Sequence, residues 1–267
     1  MTIFCDEGIC LPDINGELRD VEQLFIFLNS VTTIKQVAET LELDKDEVKI
    51  CCASQKRNRQ ILGTYPIESV ISPNKRINFF TKKCFQGCNL FSNNGLIIVA
   101  SDAYRTQTLV DVCTTLEQIS GRLRCNSEYQ NVFRNTMVHL YSTNNNVQSD
   151  EEFQLEMQKK EEDAATLLSL FEKADETERE VLIRRVSLET DLLSIEDGRL
   201  VYNEQKKKSF DFKHKIRKAY KDGIYLRDAY NKSEKFVQAR QEDWNGFDGK
   251  LAMAVTFSYE QMLKEYL

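Results

Sequence analysis

The sequence predicts an α/β fold in which a parallel sheet is flanked by helices and followed by a mainly helical C-terminal region. Up to about residue 142, short apolar segments alternate with segments of helical periodicity. Strands buried on both faces of a parallel sheet are almost continuously apolar, and their alternation with helices favours a sheet covered on both sides. A polar linker, "STNNNVQSDEEF", then precedes a charge-rich helical stretch. We therefore predict two domains, residues 1–147 and 148–267.

Composition excludes several classes of protein. Apolar residues make up 41% of the 267 residues, which is enough for one large domain or a domain with an appendage. The net charge is −6, so any contact with nucleic acid must be local. The start, "MTIFCDEGIC", lacks the basic region of a signal peptide, and the longest apolar runs are too short to span a bilayer. We expect a cytoplasmic protein without a membrane partner.

Individual elements follow from local patterns. Asn15 and Gly16 predict a turn between short β-like pieces. "TTIKQVAETLEL" predicts a helix with Ile34, Val37 and Ala38 on one face, and residues 55–73 form a polar connection with helical character. Five apolar segments are predicted as strands: "LFIFLNSV", "EVKICCAS", "RINFFTKKC", "GLIIVASD" and "NTMVHLYS".

The stretch "TTLEQISGRLR", residues 114–124, is the most informative. Leu116 and Ile119 have helical spacing, and Gln118 follows Thr115 by three residues, as in a capping box. We therefore predict a helix that extends through the two arginines at its end.

Gly121 and its neighbours indicate what that helix does. A glycine inside a helix costs about 1 kcal/mol, so we expect a ligand or another backbone to approach closely beside Arg122. Arg122 and Arg124 offer guanidinium groups, which suit the binding of polyphosphate. Taken alone, this stretch is explained more often by a helix with solvated arginines.

The eight cysteines all lie in the first half and include no C-x-x-C pair, and the two histidines are far apart. This distribution does not favour a zinc site. Most of the cysteines lie in or beside apolar runs, where free thiols behave as small hydrophobes. Cys84 and Cys88 have the spacing of one helical face, and we interpret them as core residues in a reducing compartment.

Three stretches occur in an order that resembles a known family. "FIFLNSV" is similar to motif IV, "FFTKKCFQGCNL" to motif V and "QISGRLR" to motif VI of superfamily 2 helicases. Each lies at or just beyond the carboxyl end of a predicted strand, where open α/β sheets bind ligands. Residues 20–145 thus resemble the second RecA-like domain of these helicases, nearest to the viral, phage and mobile-element origin-binding type.

The resemblance implies roles in ATP hydrolysis. Arg122 would be the arginine finger and Arg124 would assist it. The implied nucleotide-binding residues are Gly87, Asn89, Gln118 and Gly121. The sequence departs from the family at two positions: Asn89 replaces an acidic residue, and Cys125 stands where a final arginine is usual. Which arginine reaches the γ-phosphate therefore stays open.

The resemblance also implies a surface for nucleic acid, with single-stranded DNA as the expected partner. Its residues are Asn29, Ser30, Thr81 and Lys82. Amide, hydroxyl and ammonium groups make phosphate contacts that carry no sequence information. Asn29 and Ser30 taken alone are more often an ordinary turn after a strand.

A complete ATPase site is missing from this sequence. No G-x-x-x-x-G-K-[ST] phosphate loop occurs, and the acidic "SDEEF" follows no buried strand. We therefore expect ATP and Mg²⁺ to bind only with a separate N-terminal RecA-like domain, and the isolated chain to be inactive. The implied function is the C-terminal half of an ATP-dependent helicase acting in DNA replication or mobilisation.

Two other interpretations remain open. The chain could be a RecA-like module that binds nucleic acid or protein without catalysis. A nucleotide-binding enzyme such as a methyltransferase is less favoured, because no Gly-rich loop follows the first strand. Residues 206–221, "KKKSFDFKHKIRKAYK", mix basic and aromatic residues, which suits either single-stranded nucleic acid or a solvated basic face.

Overall fold

The computed structural model of the chain describes residues 3–236 apart from 6–7, 14, 190–191 and 234. These residues form two units. The first contains residues up to 144 together with 222–236, and the second contains residues 145–221. Residues 237–267 of the predicted second domain lie outside the described part of the chain.

A small antiparallel sheet opens the first unit. Its strands are paired in the order β1-β2-β3 and are bounded as follows: β1 Ile3–Cys5, β2 Gly8–Pro12 and β3 Leu18–Asp20. The predicted Asn15–Gly16 turn joins the last two strands and is confirmed. Gly16 has φ = 83°, in the left-handed region that favours glycine.

A five-stranded parallel sheet is the centre of the first unit, and all five predicted strands are confirmed. Their order is β5-β6-β4-β7-β8. The strands are β4 Gln23–Phe27, β5 Val48–Cys51, β6 Ile77–Phe80, β7 Gly95–Ser101 and β8 Met137–Tyr141. The flanking helices include α1 Val31–Thr40 and α2 Lys56–Leu62. The α/β class with a RecA-like parallel sheet is therefore correct.

Apolar side chains from both faces of the sheet form the core. Every residue of β5, β6 and β7 is buried, and the rings of Phe27 and Phe80 stack with centroids 5.2 Å apart. Helix α1 covers part of this core with Ile34, Val37 and Ala38, as predicted. Burial of such side chains stabilises the fold by about 25 cal/mol for each Å² of apolar surface.

Lys49 is a charged exception inside the sheet. It is fully buried in β5, and its Nζ donates to Val70 O at 2.9 Å, Ser72 O at 2.5 Å and Asn74 Oδ1 at 3.2 Å. Burial lowers the pKa of Lys49. The three acceptors come from the long connection between β5 and β6, so this side chain holds that connection against the sheet edge.

The second unit is mainly helical. It contains α4 Asp150–Lys173, α5 Glu176–Glu189, β9 Leu193–Glu196, β10 Arg199–Tyr202 and α6 Glu204–Ala219. Ser149 and Glu152 form a capping box, so "SDEEF" begins a helix. The sequence did not predict the hairpin of β9 and β10. Among the described helices, none combines the length and apolar character needed to cross a bilayer.

Asp150 ties the first turn of α4 to α6. Its carboxylate accepts hydrogen bonds from His214 Nε2 at 3.0 Å and from Lys218 Nζ. The ring of His214 stacks on Phe153 with centroids 4.1 Å apart. The hydrogen bonds from Lys218 and His214 hold the pKa of Asp150 below its ordinary value of 3.8.

We expect Asp150→Asn to lower the thermal unfolding midpoint at pH 7, because the ionised carboxylate stabilises the fold. A carboxyl group with a depressed pKa contributes stability above its unfolded value, and that contribution is lost as pH falls through the folded value. The difference from the natural chain should therefore shrink below pH 3.8. Asp163→Asn, on the exposed face of α4, is the matched control. A constant difference from pH 7 to pH 3 would contradict this account.

Candidate functional site

The carboxyl edge of the parallel sheet collects the loops that follow the strands. The connection after β4 runs to β5 on one side, whereas the connection after β7 runs to β8 on the other. Strands whose connections leave in opposite directions open a crevice at this edge, and open α/β sheets bind ligands there.

Asn29 joins the loops after three neighbouring strands. Its Nδ2 donates to Gln107 O at 2.8 Å, and its Oδ1 accepts from Lys82 N at 3.1 Å. Ser30 Oγ accepts from Thr33 N at 3.3 Å and so caps α1. The polar groups of both residues, predicted to contact nucleic acid, are thus used to shape the carboxyl edge.

Thr81 and Lys82 lie directly after β6 and differ in exposure. Thr81 is buried, and its Oγ1 lies 3.4 Å from Cys51 O, to which it donates. Lys82 is exposed, and it begins a single 3₁₀ turn, Lys82–Cys84. Of the four residues predicted to bind nucleic acid, Lys82 is the one with a charged group open to solvent.

The structure adds basic residues that the sequence analysis missed. Together with Lys82 they form what we call the carboxyl-edge cluster: Lys56, Arg57, Lys82, Lys83 and Arg105. Each follows the carboxyl end of a strand along the chain, and the ring of Tyr104, which precedes Arg105, is 61% exposed. Arg105 forms an ion pair with Asp102, with 3.6 Å between Arg105 Nε and Asp102 Oδ2. The cluster carries positive charge in a chain whose net charge is −6. These basic residues could have been identified from the sequence, because each follows a predicted strand.

The loop after β6 is joined to the arginine segment by backbone hydrogen bonds. Leu90 N donates to Arg122 O at 2.9 Å, and Arg124 N donates to Leu90 O at 2.8 Å. These bonds form an isolated parallel bridge between Leu90 and Leu123. The stretches that resemble motifs V and VI, far apart in sequence, therefore lie side by side.

The predicted helix around the arginines is shorter than expected. A π-helical turn, Val112–Leu116, leads into α3, Glu117–Ser120. Gly121 follows as the C-terminal cap, so Arg122 and Arg124 lie beyond the helix. The predicted end of this helix was wrong because the backbone of 122–124 pairs with Leu90 and cannot remain helical. Thr115 does not act as the cap either, since the helical backbone already begins at Val112.

Neighbouring atoms leave room for a side chain at Gly121. A Cβ added there would lie 3.9 Å from the nearest atom, Gln118 O, which is ordinary contact. Gly121 therefore ends the helix rather than making room for a neighbour. The predicted approach of another backbone beside Arg122 is present, because Leu90 N donates to Arg122 O at 2.9 Å.

Arg122 has an incompletely satisfied side chain. It is half-buried, and its Nη1 donates to Cys88 O at 3.4 Å. Its Nε is buried without a hydrogen-bond partner, which costs about 1–3 kcal/mol. No ion pair is formed by Arg122 or by the exposed Arg124 within the described part of the chain. Both guanidinium groups keep donors for an anion.

The other predicted nucleotide-binding residues surround this segment in different ways. Gly87 is exposed with φ = 75°, and a Cβ there would meet no atom within 4 Å. Asn89 is exposed and directly precedes the bridge at Leu90, whereas Gln118 is exposed on α3. The structure thus brings the loop of Gly87 and Asn89 beside the arginines.

Buried thiols lie beneath the same loop. Burial raises the pKa of Cys51 to about 12 and that of Cys84 to about 11. Burial also raises the pKa of Cys88, although the Arg122 guanidinium opposes that rise. The thiols are therefore protonated at neutral pH and act as packing groups, as predicted. In the part of the chain that the structure describes, no three His, Cys, Asp or Glu side chains are grouped to hold a metal ion.

The returning segment 222–236 packs against α3 and the edge of the sheet. It contains α7, Gly223–Asn231. Ser233 Oγ donates to Glu117 Oε1 at 2.7 Å, and Tyr230 Oη lies 2.6 Å from Nδ1 of His139 in β8. Burial lowers the pKa of His139 to about 3, so the ring is neutral at pH 7. Nothing in the local sequence indicated that this distant segment supports the helix before the arginines.

Comparisons with known proteins add no relative: no protein-family model, no curated protein and no solved structure matches this chain. The class of protein is therefore defined by the fold alone, as an α/β protein with a RecA-like parallel sheet and a helical second unit.

We expect Asn29→Ala to loosen the carboxyl edge without unfolding the chain. The substitution removes the acceptor for Lys82 N and the donor to Gln107 O. Hydrogen exchange at the Lys82 amide should become faster, by about tenfold if the missing bond contributed about 1.4 kcal/mol.

Asn89→Ala is the matched control, because Asn89 is exposed in the adjacent loop and its amide bonds no described side chain or backbone group. Equal exchange at Lys82 in the natural chain and in Asn29→Ala would contradict the role of Asn29 as the link between loops.

Proposed function

We propose that the first unit acts as the second RecA-like domain of a superfamily 2-type nucleic-acid helicase. In this proposal the unit supplies an arginine finger to ATP held mainly by another RecA-like domain, and it holds one strand of nucleic acid at its carboxyl edge. Domain closure and opening would then move that strand.

The bridge between Leu90 and Leu123 is the observation that carries the proposal. It places the loop of Gly87 and Asn89 beside Arg122 and Arg124, whose guanidinium groups have no acidic partner in the described structure. Arg122 is half-buried and Arg124 is exposed, so both keep guanidinium N–H groups that could donate to an anion. The residues therefore fit a polyphosphate.

Arg122 would act on the γ-phosphate. A guanidinium placed there offsets the charge that develops during phosphoryl transfer and contributes about 10³–10⁵ in rate. Arg124, two residues further on, would add a second contact. Mg²⁺ would neutralise charge on the phosphates when bound, and its ligands would come from the other domain, since the described residues offer no cluster for it.

The carboxyl-edge cluster would hold the strand. Its exposed lysines carry the charge that phosphates require, and Tyr104 offers a ring for a base. Asn29 would position Lys82 by fixing the backbone at its amide. Single-stranded DNA is the expected partner, with contacts that do not depend on base sequence.

The strand-binding part is tested with a double variant, Lys82→Ala with Lys83→Ala. We expect weaker binding of fluorescein-labelled oligo(dT) in fluorescence anisotropy, and a salt slope smaller by about 0.7 for each phosphate that the variant no longer neutralises. Lys45→Ala is the control, because Lys45 is exposed before β5, at the opposite edge of the sheet. If the double variant binds as the natural chain does, the carboxyl edge is not the strand-binding surface.

A second candidate is a RecA-like module that binds nucleic acid without catalysis. Two departures from the family pattern favour it, Asn89 and Cys125. Such a module would still use the carboxyl-edge cluster, but it would not need the arginines.

Arg122→Ala separates the two candidates in any complex or longer polypeptide of this chain that turns over ATP. The helicase proposal expects kcat to fall by about 10³-fold or more, with circular dichroism unchanged. Arg134→Ala is the control, since Arg134 is exposed in the same unit. The purified chain alone should show no Mg²⁺-dependent hydrolysis. Turnover unaffected by Arg122→Ala, or hydrolysis by the chain alone, would reject the arginine-finger role.

A further inference from the structure

A cavity of about 520 Å³ lies at the amino edge of the parallel sheet, opposite the carboxyl-edge cluster. Its walls come from the amino ends of three neighbouring strands: residues 22–23 at the start of β4, 74–76 before β6 and 92–93 before β7. Tyr129, in the loop before β8, completes the lining. The volume is within the range of small-molecule sites, about 300–1,000 Å³. We call this space the amino-edge cavity.

Ser92 is a buried residue of the amino-edge cavity whose hydroxyl group the protein does not use. It is 4% exposed, yet its Oγ forms no hydrogen bond with any group in the described residues. Buried polar side chains are bonded in the large majority of structures, and an unbonded one calls for an explanation. A hydroxyl group without a partner beside a cavity of this size points to a ligand.

Other lining side chains also keep groups for a ligand. Asn93 Oδ1 accepts from Gln130 N at 2.8 Å, and its Nδ2 bonds no described group. The side-chain amide of Gln23 likewise has no partner among the described residues. The ring of Tyr129 is half-buried and packs against Phe91, with centroids 5.7 Å apart. An aromatic ring beside hydrogen-bonding amides suits a flat ligand with polar edges.

Lys75 offers no donor to a ligand in the amino-edge cavity. Its Nζ donates to Lys45 O at 2.8 Å, to Val48 O at 3.0 Å and to Glu68 Oε1 at 2.7 Å. An ammonium group has three donors, so all of them are used, and Glu68 balances the charge. The cavity therefore does not suit a polyanion.

Glu22 and Arg76 bring groups of opposite charge to the amino-edge cavity. They directly precede the neighbouring strands β4 and β6. Glu22 Oε1 accepts from Asn94 Nδ2 at 2.9 Å, and its Oε2 bonds no described group. Arg76 Nη1 lies 3.5 Å from Glu47 Oε1, and its side chain is 60% exposed. An acceptor carboxylate and a donor guanidinium are thus both present beside the ring of Tyr129.

We propose that the amino-edge cavity binds a nucleoside through a guanine base. Guanine has donors at its ring N–H and 2-amino group, and acceptors at O6 and N7, which arginine binds with two hydrogen bonds. Glu22 would accept from the donors, Arg76 would donate to the acceptors, and Tyr129 would stack on the base. Ser92 would bond a sugar hydroxyl group. The cavity lies at the opposite edge from the sites proposed above and does not depend on them.

The test is isothermal titration calorimetry of the full chain with guanosine and with inosine, which lacks the 2-amino group. Guanosine should bind about tenfold more tightly than inosine. Glu22→Gln should weaken guanosine binding and abolish that difference, because the carboxylate no longer accepts from the 2-amino group. Glu172→Gln is the control, since Glu172 is exposed on α4 and the same charge is removed.

Ser92→Ala separates a role in binding from a role in folding. The hydroxyl group has no partner in the described protein, so its removal should not lower the thermal unfolding midpoint. Guanosine binding should nevertheless weaken by about threefold to tenfold. If this variant is unstable, the exposed Glu22→Gln decides the question. Natural guanosine affinity in folded Glu22→Gln would overturn the proposal.

Three further outcomes would overturn the amino-edge cavity as a guanine site. They are no binding of guanosine up to its solubility limit, binding of adenosine or ribose as tight as that of guanosine, and loss of guanosine binding in Arg122→Ala. The last result would assign the ligand to the phosphate site proposed above. Guanosine binding that survives Arg122→Ala and falls in Glu22→Gln would support the amino-edge cavity, whatever the arginines do.

Discussion

Burial of the parallel strands on both faces is the constraint on which the first unit depends. In β5, β6 and β7 every residue is buried, and one lysine, Lys49, is accepted there because three acceptors surround its Nζ. Strands of this kind have no room for reactive or ligand-binding groups in their interior. Polar groups that can contact a ligand therefore lie in the loops at the carboxyl edge, where backbone and side chains reach solvent.

At that edge, structural and binding roles are divided between neighbouring residues. Asn29, Ser30 and Thr81 have polar groups that are bonded within the protein, so they shape the loops. Lys82 and Lys83, beside them in the chain, are exposed. In an acidic chain, basic residues that stay unpaired are the local exceptions that can attract a polyanion.

The candidate nucleotide site depends on residues that are distant in sequence. The bridge at Leu90 brings two loops together, and the returning segment supports α3 through Glu117. Arg122 is left with a buried Nε that no described group satisfies. In the proposed function, the exposed guanidinium of Arg124 and the remaining N–H groups of the half-buried Arg122 would donate to the anion.

Local sequence pattern was enough to predict the α/β class, the five strands and helix α1, because apolar runs and helical periodicity act over a few neighbouring residues. It also contained a signal that was overlooked: Asp197 and Gly198, both with positive φ, form the turn between β9 and β10. The end of the helix before Arg122 was set by long-range pairing with Leu90, which overrides the helical pattern. Packing likewise set which basic and aromatic residues of α6 remain exposed, because burial depends on neighbours that the local pattern does not specify.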